Sequence, residues 1–336
     1  MTALSILDLI MIGEEKSLVH SLNEALQFAR CAEAAGYSRY WVAEHHNMPG
    51  IGSAATTIIM SHLAAGTSTI RIGSGGIMLP NHAPLIVAEQ FATLDSLYPG
   101  RIDLGVGRAP GSDRQTVLAI RGRNPDHREF SDDVAAVMDY LEDNQSQPAR
   151  GLPGTHDTPV WILGSGQYGA RLAAELGLPF AFASHFAPRY LKQAISAYRE
   201  HFRPSARHAA PYVMAGVCVF AAETQEEAEY AASSHQQWVA NLHAGRPGLL
   251  PKPVEGYMKQ LHDSQRIGLD QELACSVTGT RDVVRQWLRD FVEVTSADEL
   301  MIDSRIYDPK VRCRSFEITA EALLNVSSSS SKRTGT

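Results

Sequence analysis

The chain has 336 residues, 44% of them hydrophobic and 20% charged, with a formal net charge of −7. That is an ordinary globular composition, with no excess of positive charge to hold nucleic acid or an anionic membrane. No run of about 18 apolar residues is present to span a bilayer, and the apolar N-terminus has no basic segment before it and is interrupted by Asp8, so it reads as a first strand rather than a signal peptide. Candidate strands then follow at 4–12, 38–45, 69–78, 101–107, 159–164, 180–184, 212–220 and 298–303. Helical patterns lie between them near 17–35, 54–65, 84–98, 112–143 (two helices), 167–176, 188–202, 223–241 and 280–294, with a last one at about 309–325. Eight strands with a helix after each predict a closed parallel (β/α)8 TIM barrel, rather than an open doubly wound sheet, as one domain over 1–326. The serine-rich end, 327–336, reads as a disordered tail.

One stretch breaks this rhythm. Leu242 to Ala274 is an insertion after strand seven, and its run from Gly245 to Pro253 suits neither helix nor strand. At the catalytic rim it would serve as a lid or substrate loop; the alternative is a surface insertion without a role. The four cysteines, Cys31, Cys218, Cys275 and Cys313, form no C-x-x-C pair. Their spacing argues against a zinc knuckle or redox dithiol, and they read as reduced thiols of a cytoplasmic protein.

The chemistry-bearing residues collect at strand ends. The strand 38–45 delivers His45 and His46, and alternation puts Trp41, Ala43 and His45 on the inward face with Val42, Glu44 and His46 turned to the helices. The two histidines therefore do not reach one centre together, which argues against a metal site built on Glu44, His45 and His46, with His62 or His82 as further ligands. The next strand ends at Gly75-Gly76, where bare backbone suits the close approach of a flat ring. The strand 101–107 delivers Arg108, whose guanidinium either clamps an anion or makes a surface ion pair. Gly164-Ser165-Gly166-Gln167-Tyr168-Gly169 matches G-x-G-x-x-G between strand and helix. A dinucleotide site needs an acidic residue at the end of the next strand, and that strand leads into Ser184-His185 instead. What survives is either a phosphate cradle at a helix N-terminus or a tight turn without a ligand. On consecutive barrel strands, Arg108 and Ser165 would close on the same phosphate.

Together, Glu44-His45-His46, the run Gly73 to Pro80, the run Ala88 to Asp95, Pro99-Gly100-Arg101 leading into Gly105-Val106-Gly107-Arg108, Trp161 to Ser165, Gly177-Leu178-Pro179 and Ala297 to Ile302 resemble the bacterial luciferase-like flavin monooxygenases, in the subgroup that emits no light. The resemblance covers nearly all of the chain up to about residue 325. It implies a luciferase-like TIM barrel that binds reduced FMN at the C-terminal ends of its strands. By position, His45 matches the family's active-site histidine, Arg108 the phosphate arginine, and Ser165 the hydroxyl beside it, with Tyr168 next along. Gly164 and Gly166 complete that turn, and Gly75-Gly76 takes the place of the family's cis peptide under the flavin ring. The light-emitting members carry a cysteine where this chain has Gly107 and a glutamate where it has Gly164.

The resemblance further implies a monooxygenase that oxygenates a small organic substrate with O2 through a flavin C4a-peroxide. No second nucleotide motif remains for NAD(P)H, so FMN would be reduced by a separate NAD(P)H:flavin reductase. A homodimer is implied, and neither nucleic acid nor membrane is a partner. The alternatives are a deazaflavin (F420)-dependent oxidoreductase on the same barrel, a metal-dependent barrel hydrolase on Glu44, His45 and His46, and a flavin-binding barrel that has lost its activity.

Overall fold

A computed structural model describes residues 2–109, 113–121, 129–142, 149–153 and 157–324. The tail expected at 327–336 and part of the stretch 112–143 lie outside them. The strands are β1 (Ala3–Asp8), β2 (Arg39–Val42), β3 (Arg71–Ser74), β4 (Ile77–Met78), β5 (Ile102–Gly107), β6 (Val160–Gly164), β7 (Phe180–Phe182), β8 (Val213–Ala221), β9 (Ser276–Gly279) and β10 (Glu299–Asp303). The first helices are α1 (Leu18–Ala34), α2 (Thr56–Ala65), α3 (Pro84–Leu97), α4 (Arg114–Arg121), α5 (Phe130–Leu141) and α6 (Gln167–Leu176). They are followed by α7 (Leu191–His201), α8 (Gln225–His243), α9 (Tyr257–Gln260), α10 (Asp263–Glu272), α11 (Arg281–Thr295) and α12 (Pro309–Leu323). Every ladder is parallel, and the ring β10-β1-β2-β3-β5-β6-β7-β8 is closed by pairing of β8 with β10. The expected eight-stranded barrel is what forms.

Strand alternation divides the core into two shells. Ile6, Tyr40, Val42, Ile72, Leu104 and Phe180 point outward into the main core, with helix residues such as Phe28, Leu63, Phe91 and Phe316. Leu7, Trp41, Trp161, Met214 and Met301 point inward and fill the lower barrel. Beneath them lies a charged floor at the strands' N-terminal ends. Arg39 donates from Nη1 to Asp103 at 2.8 Å and from Nε to Glu299 at 3.1 Å. Arg71 and Trp41 Nε1 add hydrogen bonds to Asp103, while Tyr212 and Ser5 donate to Glu299.

Two elements differ from the expectation. β8 runs on past the rim, where Cys218 to Ala221 pair with β9, a strand too short and polar to stand out in the sequence. The stretch 242–274 follows α8 rather than the strand itself, and contains α9 and α10. Its irregular part crosses the C-terminal rim: Leu250 N–H donates to Ile12 O, and Glu14 N–H to Leu250 O. Trp238 Nε1 donates to Gly248 O at 3.2 Å. Among the described residues, no helix is long and apolar enough to cross a membrane.

The reading of all four cysteines as free thiols is corrected for one pair. Cys31 and Cys313 form a disulfide between α1 and α12, whereas Cys218 and Cys275 are free and buried. The partners are 282 residues apart, and only closure of the ring makes the first and last helices neighbours, so spacing carried no trace of the bond. For this pair the inference of a reducing compartment loses its basis. Because the bond closes so long a loop, Cys31→Ser or chemical reduction should lower unfolding free energy by about 2–5 kcal/mol. Urea denaturation with and without reductant measures this; coincident curves would show that the bond does not constrain the chain.

Candidate active site

A cavity of about 640 Å³ opens at the C-terminal ends of the barrel strands. All eight site residues expected from the sequence, His45, Gly75, Gly76, Arg108, Gly164, Ser165, Gly166 and Tyr168, line it.

The alternation expected past β2 holds. Ala43 and His45 line the cavity, while Glu44 is turned away and buried. Glu44 accepts hydrogen bonds from His46 Nε2 at 2.8 Å, His82 Nε2 at 2.9 Å and Met78 N–H at 3.0 Å. Burial acts to raise the Glu44 pKa, but His82, His46 and the Met78 N–H outweigh it and hold the carboxyl below its ordinary value. Glu44 is thus a bracket that ties the end of β2 to the β4 segment, fixing His45 and Gly75-Gly76 relative to one another. The grouping of Glu44, His45 and His46 around one centre does not form. Among the described residues, no cluster of three or more His, Cys, Asp or Glu side chains is placed to hold a metal ion.

The Gly75–Gly76 peptide is cis. A Cβ on Gly75 would lie 2.6 Å from Leu7 Cδ1, and one on Gly76 2.7 Å from the Gly105 carbonyl oxygen. At Gly76 the neighbouring strand's backbone leaves no room for a side chain, and at Gly75 the end of the Leu7 side chain would have to shift. The Ser74 hydroxyl fastens the segment to β5, donating to Gly105 O at 2.8 Å and accepting from Gly105 N–H at 3.0 Å.

β5 and β6 are neighbours, with Gly107 opposite Leu163, so Arg108 and Ser165 leave adjacent strand ends. The Arg108 guanidinium lies over the Tyr168 ring, 4.1 Å from its centroid, a cation–π contact that holds the charge at the cavity edge. Among the described residues no carboxylate pairs with it. Gly166 is the N-cap of α6 and contributes no side chain, leaving the first-turn N–H groups without a side-chain cap at residues that line the cavity. A positive side chain, a hydroxyl and free N–H donors at a helix N-terminus make a site for a phosphate or similar anion. Gly107 is not forced by crowding, since a Cβ there would meet Met78 Sδ at 3.6 Å and Ile77 O at 4.0 Å, ordinary contacts.

The sequence reading missed a second polar group. His185, beyond β7, and Arg305, beyond β10, also line the cavity, together with Trp238 from α8. Burial, with a smaller contribution from Arg305, pushes the His185 pKa down to about 4 despite the opposing pull of Asp303. The rule that picks out His45 and Arg108, a polar side chain just past a barrel strand's C-terminal end, selects these residues too. Trp238 carries no such signal, because only the folding of α8 across the rim brings it in.

A sequence model described as luciferase-like monooxygenase matches residues 4–298. The chain belongs to the luciferase-like monooxygenase family. It is 47% identical over 322 residues, 95% of this chain and 96% of the relative, to a luciferase-like monooxygenase of Escherichia coli K12. The crystal structure of apo-MsnO8 superposes with a TM-score of 0.85 at 32% identity, covering 96% of this chain and 98% of that one. At 16% identity, where likeness speaks for the fold alone, the oxygenating constituent of the Pseudomonas putida 3,6-diketocamphane monooxygenase in complex with FMN superposes with a TM-score of 0.70, covering 97% and 99%. The protein is an oxidoreductase of this family, on the family's barrel.

Proposed function

We propose that this family member is a monooxygenase that uses reduced FMN and O2 to oxygenate a small organic substrate. One observation carries the reading: a single cavity joins bare backbone at Gly75-Gly76 to a phosphate cradle at Arg108, Ser165 and the start of α6. That combination fits a flat ring with a phosphate at the end of its side chain. Arg108, Ser165, the N–H groups of the Gly164–Gly169 turn and Tyr168 would hold the phosphate end, and Gly75-Gly76 would lie against the ring. Reduced FMN supplies the electrons that let ground-state O2 react with a closed-shell molecule.

The chain's own tasks then divide by position. His45 lines the cavity on the strand next to the glycine pair and holds or returns a proton through its imidazole. The apolar walls, Leu7, Leu9, Met48, Ile51, Met214 and Met301, exclude water from the oxygen chemistry. The segment 242–274 acts as a lid, anchored where Leu250 hydrogen-bonds the loop after β1. A separate NAD(P)H:flavin reductase delivers the reduced FMN. The protein is a homodimer in this reading, because Val19, Ile58, Ile86 and Leu97 expose apolar side chains on the neighbouring helices α1–α3; a monomer on analytical ultracentrifugation at micromolar concentration would argue against it.

Arg108→Ala should weaken FMN binding by about 1.5–3 kcal/mol, the range for a hydrogen bond to a charged group, as read by fluorescence titration. Unchanged affinity would remove Arg108 from the phosphate site. The deciding experiment mixes the protein with FMN reduced under nitrogen, then with oxygenated buffer, and records the near-ultraviolet and visible spectrum. A transient that is neither reduced nor oxidised flavin, lost in His45→Ala although FMN still binds, is the expected result. Reoxidation as fast as that of free FMN would overturn the reading and turn attention to deazaflavin, whose chemistry is hydride transfer.

A further inference from the structure

Across the cavity from the phosphate cradle lies a group that no part of the flavin reading uses. In the ring order, β10 stands four strands from β5 in either direction, so Arg305 faces Arg108 from the opposite side of the mouth. Arg305 is 7% exposed and lines the cavity. Its Nη2 donates to Asp303 at 2.6 Å and its Nε at 3.0 Å. The guanidinium carbon sits 4.6 Å from the centroid of a Trp238 ring. Asp303 and Trp238 thus fix the plane and position of the guanidinium, and Nη1 is left without a hydrogen-bond partner among the described residues. An unpartnered donor on a side chain that lines the cavity is available to a ligand.

His185 stands beside it. Its Nδ1 is buried without a hydrogen-bond partner, against Gly216, where an added Cβ would come within 2.1 Å of that nitrogen. Glycine at 216 is therefore required for the imidazole to lie where it does. Uncharged at neutral pH, His185 adds polarity without a second positive charge. The surrounding wall is apolar: Leu9, Met214, Trp238, Leu242 and Met301.

We propose that Arg305 determines substrate specificity, its Nη1 donating to an acceptor oxygen, carboxylate or carbonyl, of an otherwise apolar small molecule. The proposal rests on the monooxygenase reading of the cavity and names what its substrate must carry. A planar guanidinium held by a carboxylate and an aromatic face is preorganised, so little side-chain freedom is lost when an oxygen binds.

The test is calorimetric titration of the flavin-free protein, so its outcome does not depend on whether the oxygen chemistry is right. The probes are octanoate, 2-octanone and 2-methyl-1-octene, the last replacing the carbonyl oxygen of 2-octanone by a methylene. In Arg305→Met, octanoate or 2-octanone should bind about tenfold or more weaker, the lower end for a charge-assisted hydrogen bond, with 2-methyl-1-octene unchanged. Whichever of the two oxygen probes loses more identifies carboxylate or carbonyl as the recognised group. Equal effects on all three probes, or none, would overturn the proposal. Because Arg305→Met leaves Asp303 buried and unpaired, the same titrations on Asp303→Asn/Arg305→Met decide the matter if the single variant does not fold.

Discussion

Arg39 is the residue on which the rest of the barrel depends. Its guanidinium joins Asp103 of β5 to Glu299 of β10 across the floor, and lies 4.9 Å from the centroid of a Trp161 ring. Burying two carboxylates and a guanidinium is expensive, and the cost is offset because every carboxylate oxygen finds a partner. Arg71 of β3, Trp41 of β2, Ser5 of β1 and Tyr212, just before β8, supply those partners. The network fixes the register of the strands on which it rests, since a one-residue slip would turn each of these side chains to the helix side.

From that floor the arrangement of the mouth follows. With the register set, the same alternation that sends Trp41 inward sends Ala43 and His45 inward further up, and turns Glu44 out to bracket His82 and Met78. Trp41 and Trp161 meet edge to face, with ring centroids 5.2 Å apart, and stop the cavity from running down the barrel. The polar groups consequently stand at the rim, the cradle around β5 and β6 on one side and Arg305 with His185 on the other, with apolar wall between. The cavity has two polar poles because charged side chains end barrel strands on opposite sides of the ring.

Much of this was legible along the chain. The eight barrel strands are short apolar runs bounded by turns, and the helices carry a period that single-sequence reading detects. His45, Arg108 and the glycines at 75–76 and 164–166 were visible because each stands directly after such a run, and in a barrel every strand's C-terminal end opens on the same face. His185 and Arg305 obey the same rule but sit in surroundings less marked by glycine. β9 was missed because Ser-Val-Thr-Gly has neither length nor a clear apolar pattern, and is a strand only because β8 overruns the rim.

The sequence by itself thus determined the class of fold, the family and the side of the barrel on which the cavity opens, since all three rest on local patterns and their order. Tertiary structure alone decided which distant residues meet. It joined Cys31 to Cys313, brought Trp238 over Arg305, and turned Glu44 from a candidate metal ligand into a bracket. Ring closure makes the first strand a neighbour of the last and the first helix a neighbour of the last. Contacts of that kind depend on the whole path of the chain, which no local spacing records.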